Sequence, residues 1–174
     1  MHIGRNNLKH RILVVDDTEE IHELFNFILK SMEKETSPSK VSNKLDSILA
    51  GNGDQDQQAN GSELEISLDH AHQGEQALEL IKQSYVEDNP YSLVFMDVRM
   101  PPGIDGIETI KRARENYKDL EFVICTAFNN YEWDQLYNLF GRNDKILYIS
   151  KPFCDTSLKQ MTNYVLSKVE NQKA

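Results

Sequence analysis

The chain has 174 residues, 39% of them apolar and 27% charged, the make-up of one globular domain with room for a core. A formal net charge of −9 argues against a nucleic-acid-binding surface, and no apolar run approaches the roughly 20 residues that span a bilayer. "MHIGRNNLKHRILVV" lacks the apolar stretch and cleavage site of a secretory leader. The two cysteines, Cys125 and Cys154, have no metal-like spacing and read as reduced thiols of a cytoplasmic protein.

The first element is "RILVVDD" at 11–17, a β-branched run that predicts a buried strand over 11–15. A helix follows over 19–32. Ile21, Leu24, Phe25, Ile28 and Met32 recur at helical spacing, and Glu19 and Glu20 open it where the helix dipole favours acids. The pattern then breaks. Residues 33–63 form a polar insert whose stretch "GNGDQDQQANGS" (51–62) has no apolar face and reads as a mobile loop. Val41, Leu45, Ile48 and Leu49 have the spacing of a short helix over 41–50.

Alternation resumes with a strand at 64–71 and a helix at 74–85, with Ala77, Leu78, Ile81 and Tyr85 facing inward. "YSLVFMD" (91–97) is a third strand, apolar on both faces, and a helix at 105–117 follows. A fourth strand at 121–127, a helix at 131–140 and a fifth strand at 145–153 come next. The last helix, about 156–170, turns Leu158, Met161, Val165 and Val169 inward and leaves 171–174 as a tail. Five strands alternating with helices imply an α/β domain over 1–170, a doubly wound parallel sheet with helices on both faces.

In such sheets function gathers outside the carboxyl ends of the strands, at the topological switch point. The first strand ends in Asp16 and Asp17, the third in Asp97, the fourth in Thr126 and the fifth in Lys151. With strand order 2-1-3-4-5, strands one and three are central neighbours. Three carboxylates, a hydroxyl and an ammonium then share one pocket, with Asp97 exposed at the mouth of its strand. Three clustered acids cannot all stay ionised beside one lysine. A divalent cation would compensate them, and oxygen ligands select a hard ion such as Mg²⁺. The bland readings are that Asp16 and Asp17 cap the first helix and that Thr126 merely ends a strand. His70 and His72 share a strand, but nothing in the sequence completes a metal shell around them.

"ILVVDD", "MDVRMPPGIDGIE", "CTA" and "YISKPF", in this order, resemble the receiver domain of two-component response regulators, a flavodoxin-like fold. The resemblance implies that Asp97 accepts a phosphoryl group from a phosphohistidine to give an aspartyl phosphate. It implies that Asp17 binds Mg²⁺ (or Mn²⁺) directly, with Asp16 beside it and the backbone carbonyl of Arg99 completing the shell. Thr126 and Lys151 would hold phosphoryl oxygens, the Lys151–Pro152 peptide would be cis, and Tyr148 would turn inward on activation. Arg99 and Phe128 would flank the phosphoryl group. The implied partners are a histidine kinase or phosphotransfer protein. An output domain downstream, or a partner protein at the face of the fourth helix, fifth strand and fifth helix, would read the switch. A homodimer on phosphorylation is also implied. The chain would thus be a switch, not a turnover enzyme.

Three features depart from the common receiver form: a turn after Asp97 one residue longer, a longer stretch from Thr126 to Lys151, and the insert. "PPGIDGIETI" and "VICTAFNNYEW" resemble a subgroup of receivers that open multidomain sensor kinases or cyclic di-GMP proteins. No output domain is visible in the sequence itself. Two other functions share part of this pattern. One is a degenerate receiver used only for protein binding, against which the complete acceptor set argues. The other is a Mg²⁺-dependent phosphatase of the haloacid dehalogenase type, whose D-x-D pattern "VVDDTEE" does not supply.

Overall fold

The β-branched runs of the sequence become one parallel sheet in the computed structural model, which describes residues 8–36, 64–127 and 133–173. In chain order the elements are β1 (Leu8–Val15), α1 (Glu19–Thr36), β2 (Leu64–Ala71), α2 (Gly74–Val86), β3 (Leu93–Asp97), α3 (Gly106–Asn116), β4 (Phe122–Ala127), α4 (Trp133–Phe140), β5 (Ile146–Lys151) and α5 (Asp155–Lys173). The sheet order is β2-β1-β3-β4-β5, so the expected α/β, doubly wound, flavodoxin-like arrangement is the observed one. The expected helix at 41–50 and most of the 33–63 insert lie outside the described residues.

The core has two halves because the sheet is covered on both sides. Ile12, Val14, Leu93, Phe95, Val123 and Cys125 face α1 and α5, where Phe25, Ile28, Leu29, Leu158 and Val165 meet them. Leu13, Val15, Val94, Met96, Phe122 and Ile124 face the other side and pack on Ala77, Ile81, Ile107, Ile110 and Ala113 of α2 and α3. All five residues of β3 are buried, as its unbroken apolar run requires. β2 lies at the sheet edge and is mostly half-buried.

Two helices run further than the sequence expectation, and one residue faces another way. α1 continues past Met32 to Thr36 and α5 runs through Lys173, into what the sequence sets aside as a tail. Polar contacts hold the end of α5. Lys145 Nζ donates to Gln172 Oε1 at 2.7 Å, and His10 Nε2 lies 2.8 Å from Glu170 Oε1. Tyr85, expected inward, is 36% exposed and stacks on Tyr117 with ring centroids 4.2 Å apart. α4 ends where Gly141 takes φ +66, a left-handed conformation that glycine adopts without Cβ strain.

The loop leaving β3 is anchored from both ends. Asp105 caps α3, its side chain accepting from the Glu108 backbone N–H at 2.7 Å. Gly106 N–H donates to the Val98 carbonyl at 3.0 Å. Across the loop, Gln73 Oε1 and Glu75 Oε1 at the start of α2 accept from the N–H groups of Gly103 and Ile104, at 3.1 and 3.2 Å. The longer turn after Asp97 is therefore tied to α2 rather than left free. Among the described residues no helix is long and apolar enough to cross a membrane.

Candidate functional site

At the carboxyl ends of β1, β3 and β5 three charged side chains meet. Lys151 Nζ lies 2.5 Å from Asp16 Oδ2 and 2.6 Å from Asp97 Oδ1. The three come from opposite regions of the chain because parallel strands put all their carboxyl ends on one edge of the sheet. The second oxygens are engaged as well. Asp97 Oδ2 accepts from the Arg99 backbone N–H at 2.9 Å, and Asp16 Oδ1 from that of Thr18 at 3.0 Å.

The sequence reading exposes Asp97 at its strand mouth. The structure instead buries it: Asp97 is 7% exposed and Asp16 beside it 2%. The reason is its place on a central strand: Val98 and Met100 turn back into the core just beyond it. Burial raises the Asp97 pKa, the Lys151 ammonium opposes this, and the charge of Asp16 adds to the rise. Lys151 is itself held above the ordinary lysine value. Burial would lower it, but hydrogen bonds to Asp16 and Asp97 outweigh that. The two shifts have different leading causes: burial disfavours the charged carboxylate of Asp97, while the two acids favour the charged ammonium of Lys151.

The remaining expected residues surround this trio. Asp17 is exposed, and its Oδ1 accepts from the Thr18 hydroxyl at 3.3 Å. Thr126 is buried at the end of β4, with its hydroxyl donating to the Ala127 carbonyl at 3.1 Å. It pairs in register with Ser150, next to Lys151. Tyr148 is half-buried on β5 and packs against the core on the α2–α3 side. The side chain of Arg99 is exposed, and its backbone N–H is the group that meets Asp97. Phe128 lies outside the described residues. The Lys151–Pro152 peptide is cis, as is Pro101–Pro102. Cys125 is buried, as expected of a small apolar residue, and Cys154 is exposed; both are free thiols.

Among the described residues no three His, Cys, Asp or Glu side chains converge closely enough to cage a metal by themselves. Mg²⁺ does not ask for such a cage: it keeps several waters and takes one or two carboxylates. The donor set here, hard carboxylate oxygens with uncompensated negative charge, fits that ion.

One functional candidate escaped the sequence reading. His22 on α1 is buried, and its Nε2 lies 2.8 Å from the Asp16 carbonyl oxygen. Its only sequence signal was a histidine among Ile21, Phe25, Ile28 and Leu29, which reads as core.

Comparison with known proteins agrees with this fold. The response regulator receiver domain family matches residues 57–163, and the chain belongs to that family. The match begins past β1 and α1, but solved structures take those in. The receiver domain of a LuxO repressor protein from Vibrio parahaemolyticus aligns over 95% of this chain and 96% of its own, with TM-score 0.64 and 17% identity. A CheY-like receiver domain from Methanospirillum hungatei aligns over 93% and 98%, with TM-score 0.60 and 22% identity. NtrX from Brucella abortus aligns over 94% of this chain but 28% of its own, with TM-score 0.61 and 19% identity. In sequence, the sensory transduction protein LytT of Oceanobacillus iheyensis is 31% identical over 59% of this chain and 38% of its own length. The response regulator GtcR of Aneurinibacillus migulanus is 37% identical over 48% and 30%. The chain thus spans about a third of the length of these two relatives. Membership in this family leaves the haloacid dehalogenase alternative without support.

Proposed function

We propose that this chain is a phosphoacceptor switch in which Asp97 takes a phosphoryl group from a histidine kinase, a phosphotransfer protein or a small phosphodonor. The observation that carries this reading is the buried Asp97 carboxylate sharing the Lys151 ammonium with Asp16. An oxygen of Asp97 forms a bond to phosphorus as the bond from phosphorus to the donor's imidazole nitrogen breaks. The imidazole leaves with the electron pair. Lys151, already within contact of Asp97, is placed to bind a phosphoryl oxygen and offset its charge. Thr126 would bind another by turning its hydroxyl from the Ala127 carbonyl. Asp16, Asp17, Asp97 and the Arg99 carbonyl would hold Mg²⁺ or Mn²⁺. When bound, the ion neutralises charge developing on the transferred group.

Switching follows if Thr126 and Lys151 are drawn to the new group and Tyr148 fills the space released on β5. A phosphoryl group biases the fold only through contacts that differ between two states, and the face of α4, β5 and α5 carries those contacts. A partner protein, an output domain or a second copy would read that face, in the cytoplasm. NtrX and the two sequence relatives are each much longer than the part this chain matches, which supports an output joined to such a receiver.

The test is mass spectrometry of the intact protein after incubation with acetyl phosphate and Mg²⁺. The unmodified chain should gain one phosphoryl group, and Asp97→Asn none. Equal labelling of both would rule out Asp97 as the acceptor.

A further inference from the structure

A second cluster of titratable side chains lies where α1 meets the end of β2. His22 is 2% exposed, yet both its ring nitrogens have partners. Nε2 is 2.8 Å from the carbonyl oxygen of Asp16, and Nδ1 is 2.8 Å from Nδ1 of His70. The far nitrogen of His70 is 3.2 Å from the side-chain amide of Asn26. His72 stands edge-on to His22, with ring centroids 4.6 Å apart.

These contacts define the hydrogens. A carbonyl oxygen only accepts, so His22 Nε2 carries a hydrogen. In the neutral ring Nδ1 is then an acceptor, and the hydrogen between the rings belongs to His70. The remaining His70 nitrogen accepts from the Asn26 amide. One tautomer of each ring satisfies every member, and the chain runs in one direction: Asn26 to His70 to His22 to the Asp16 carbonyl. Burial, and next the neighbouring His22, lower the His70 pKa, which favours the neutral ring that this chain needs.

The last acceptor matters because of its position. Asp16 N–H donates to the Ala71 carbonyl of β2 at 3.1 Å. Its carbonyl lies before the first turn of α1, whose Ile21 N–H reaches only to Thr18. His22 supplies the donor the helix does not. The peptides on both sides of Asp16 are thus held, one from β2 and one from α1, while its carboxylate meets Lys151.

We propose that His22 is a positioning residue for the acidic pair: its hydrogen bond to the Asp16 carbonyl sets the backbone from which Asp16 and Asp17 present their carboxylates to Mg²⁺, and His70 and Asn26 fix the tautomer that makes this bond. The inference rests on the Mg²⁺-dependent reading above. Groups that orient metal ligands from the outer shell commonly change affinity by 10–100-fold when removed.

The test is calorimetric Mg²⁺ titration of the full chain, together with ¹⁵N spectra of the imidazoles. His22→Leu keeps bulk and removes the donor. His22→Gln places an amide nitrogen where Nε2 stood. The leucine variant should bind Mg²⁺ roughly 10-fold more weakly, and the glutamine variant should recover most of the loss. A residue needed only for packing would not show that rescue. In the unmodified protein His22 should appear as the Nε2–H tautomer and His70 as the Nδ1–H tautomer. Should His22→Leu fail to fold, Asn26→Ala carries the test from the far end: mixed His22 tautomers and weaker Mg²⁺ binding are expected. An Nδ1–H tautomer at His22, or equal affinity in the unmodified protein and all variants, would overturn the inference alone. An unmodified protein with no Mg²⁺ affinity would overturn the functional reading, and this inference with it.

Discussion

Gly106 is where α3 touches the strand that carries Asp97, and replacing it with alanine tests how tightly the acceptor is held. A Cβ there would lie 1.9 Å from the Asp97 carbonyl oxygen and 2.9 Å from both its carbonyl carbon and Met96 Cγ. Non-bonded carbons settle at about 3.5–4 Å, so helix and strand must part by roughly 1.5 Å. The backbone cannot swing aside as a flexible side chain would. Overpacking of this kind costs about 1–3 kcal/mol. The bond from Gly106 N–H to the Val98 carbonyl stretches with it, a further ~1 kcal/mol. Against this, alanine in a helix gains at most about 0.5–1 kcal/mol over glycine. The clash wins, with a net loss near 2 kcal/mol, which for a chain of this size lowers Tm by about 4–8 °C. Gly103→Ala is the control. Its Cβ would meet the ends of the Gln73 and Glu75 side chains, each 2.6 Å away; these can shift on the exposed surface, loosening their bonds to Gly103 and Ile104 N–H, so the cost should stay at about 1 kcal/mol, below that of Gly106→Ala. Thermal unfolding followed by circular dichroism reads both. Phosphorylation by acetyl phosphate adds a second readout, since a displacement near 1 Å can slow a reaction by as much as ~100-fold. Unchanged Tm in Gly106→Ala, or equal damage in Gly103→Ala, would refute the reasoning.

Lys151 should give the fold a base-sensitive share of its stability. Its pKa is raised above the ordinary value of 10.5, so its contribution is complete below that value and is lost as pH climbs from there through the raised one. Urea unfolding across that window should show a shallower decline in Lys151→Met, and identical slopes would count against the ion pair. Tyr91→Phe removes the hydroxyl that donates to Asp69 Oδ2 at 2.8 Å. It should cost about 1 kcal/mol, a fall in Tm of about 2–4 °C, and an unchanged melt would show that the bond adds nothing. The phosphorylated protein should lose phosphate more slowly than a variant with Arg99→Asn and Phe128→Glu, because neither native side chain positions a water for attack. Phosphate release after removal of the donor, with Mg²⁺ present, measures this, and equal rates would discard the shielding role.

The sequence by itself determined the order of elements. Strands buried on both faces must be apolar throughout, so "ILVV", "SLVFM" and "FVIC" stand out from their neighbours, and the helices between them keep their own period. It also determined which residues end the strands, and a parallel sheet sends those ends to one edge. That is why Asp16, Asp97, Thr126 and Lys151 were legible. Tertiary structure decided what periodicity cannot encode. Helical phase put Tyr85 on the inner face, but phase gives an angle about an axis, not the place where the neighbouring surface ends, and there Tyr85 stacks on Tyr117. The last turns of α5 carry too few apolar residues to read as helix, yet contacts from Lys145 and His10 hold them. The burial of Asp97 depended on the central place of β3 between β1 and β4, with Val98 and Met100 buried just beyond it. His22 looked like any core residue until α1 docked against β2. Its role depends on a carbonyl six residues earlier and a histidine 48 residues later, and only folding brings a donor and an acceptor at such separations within bonding distance.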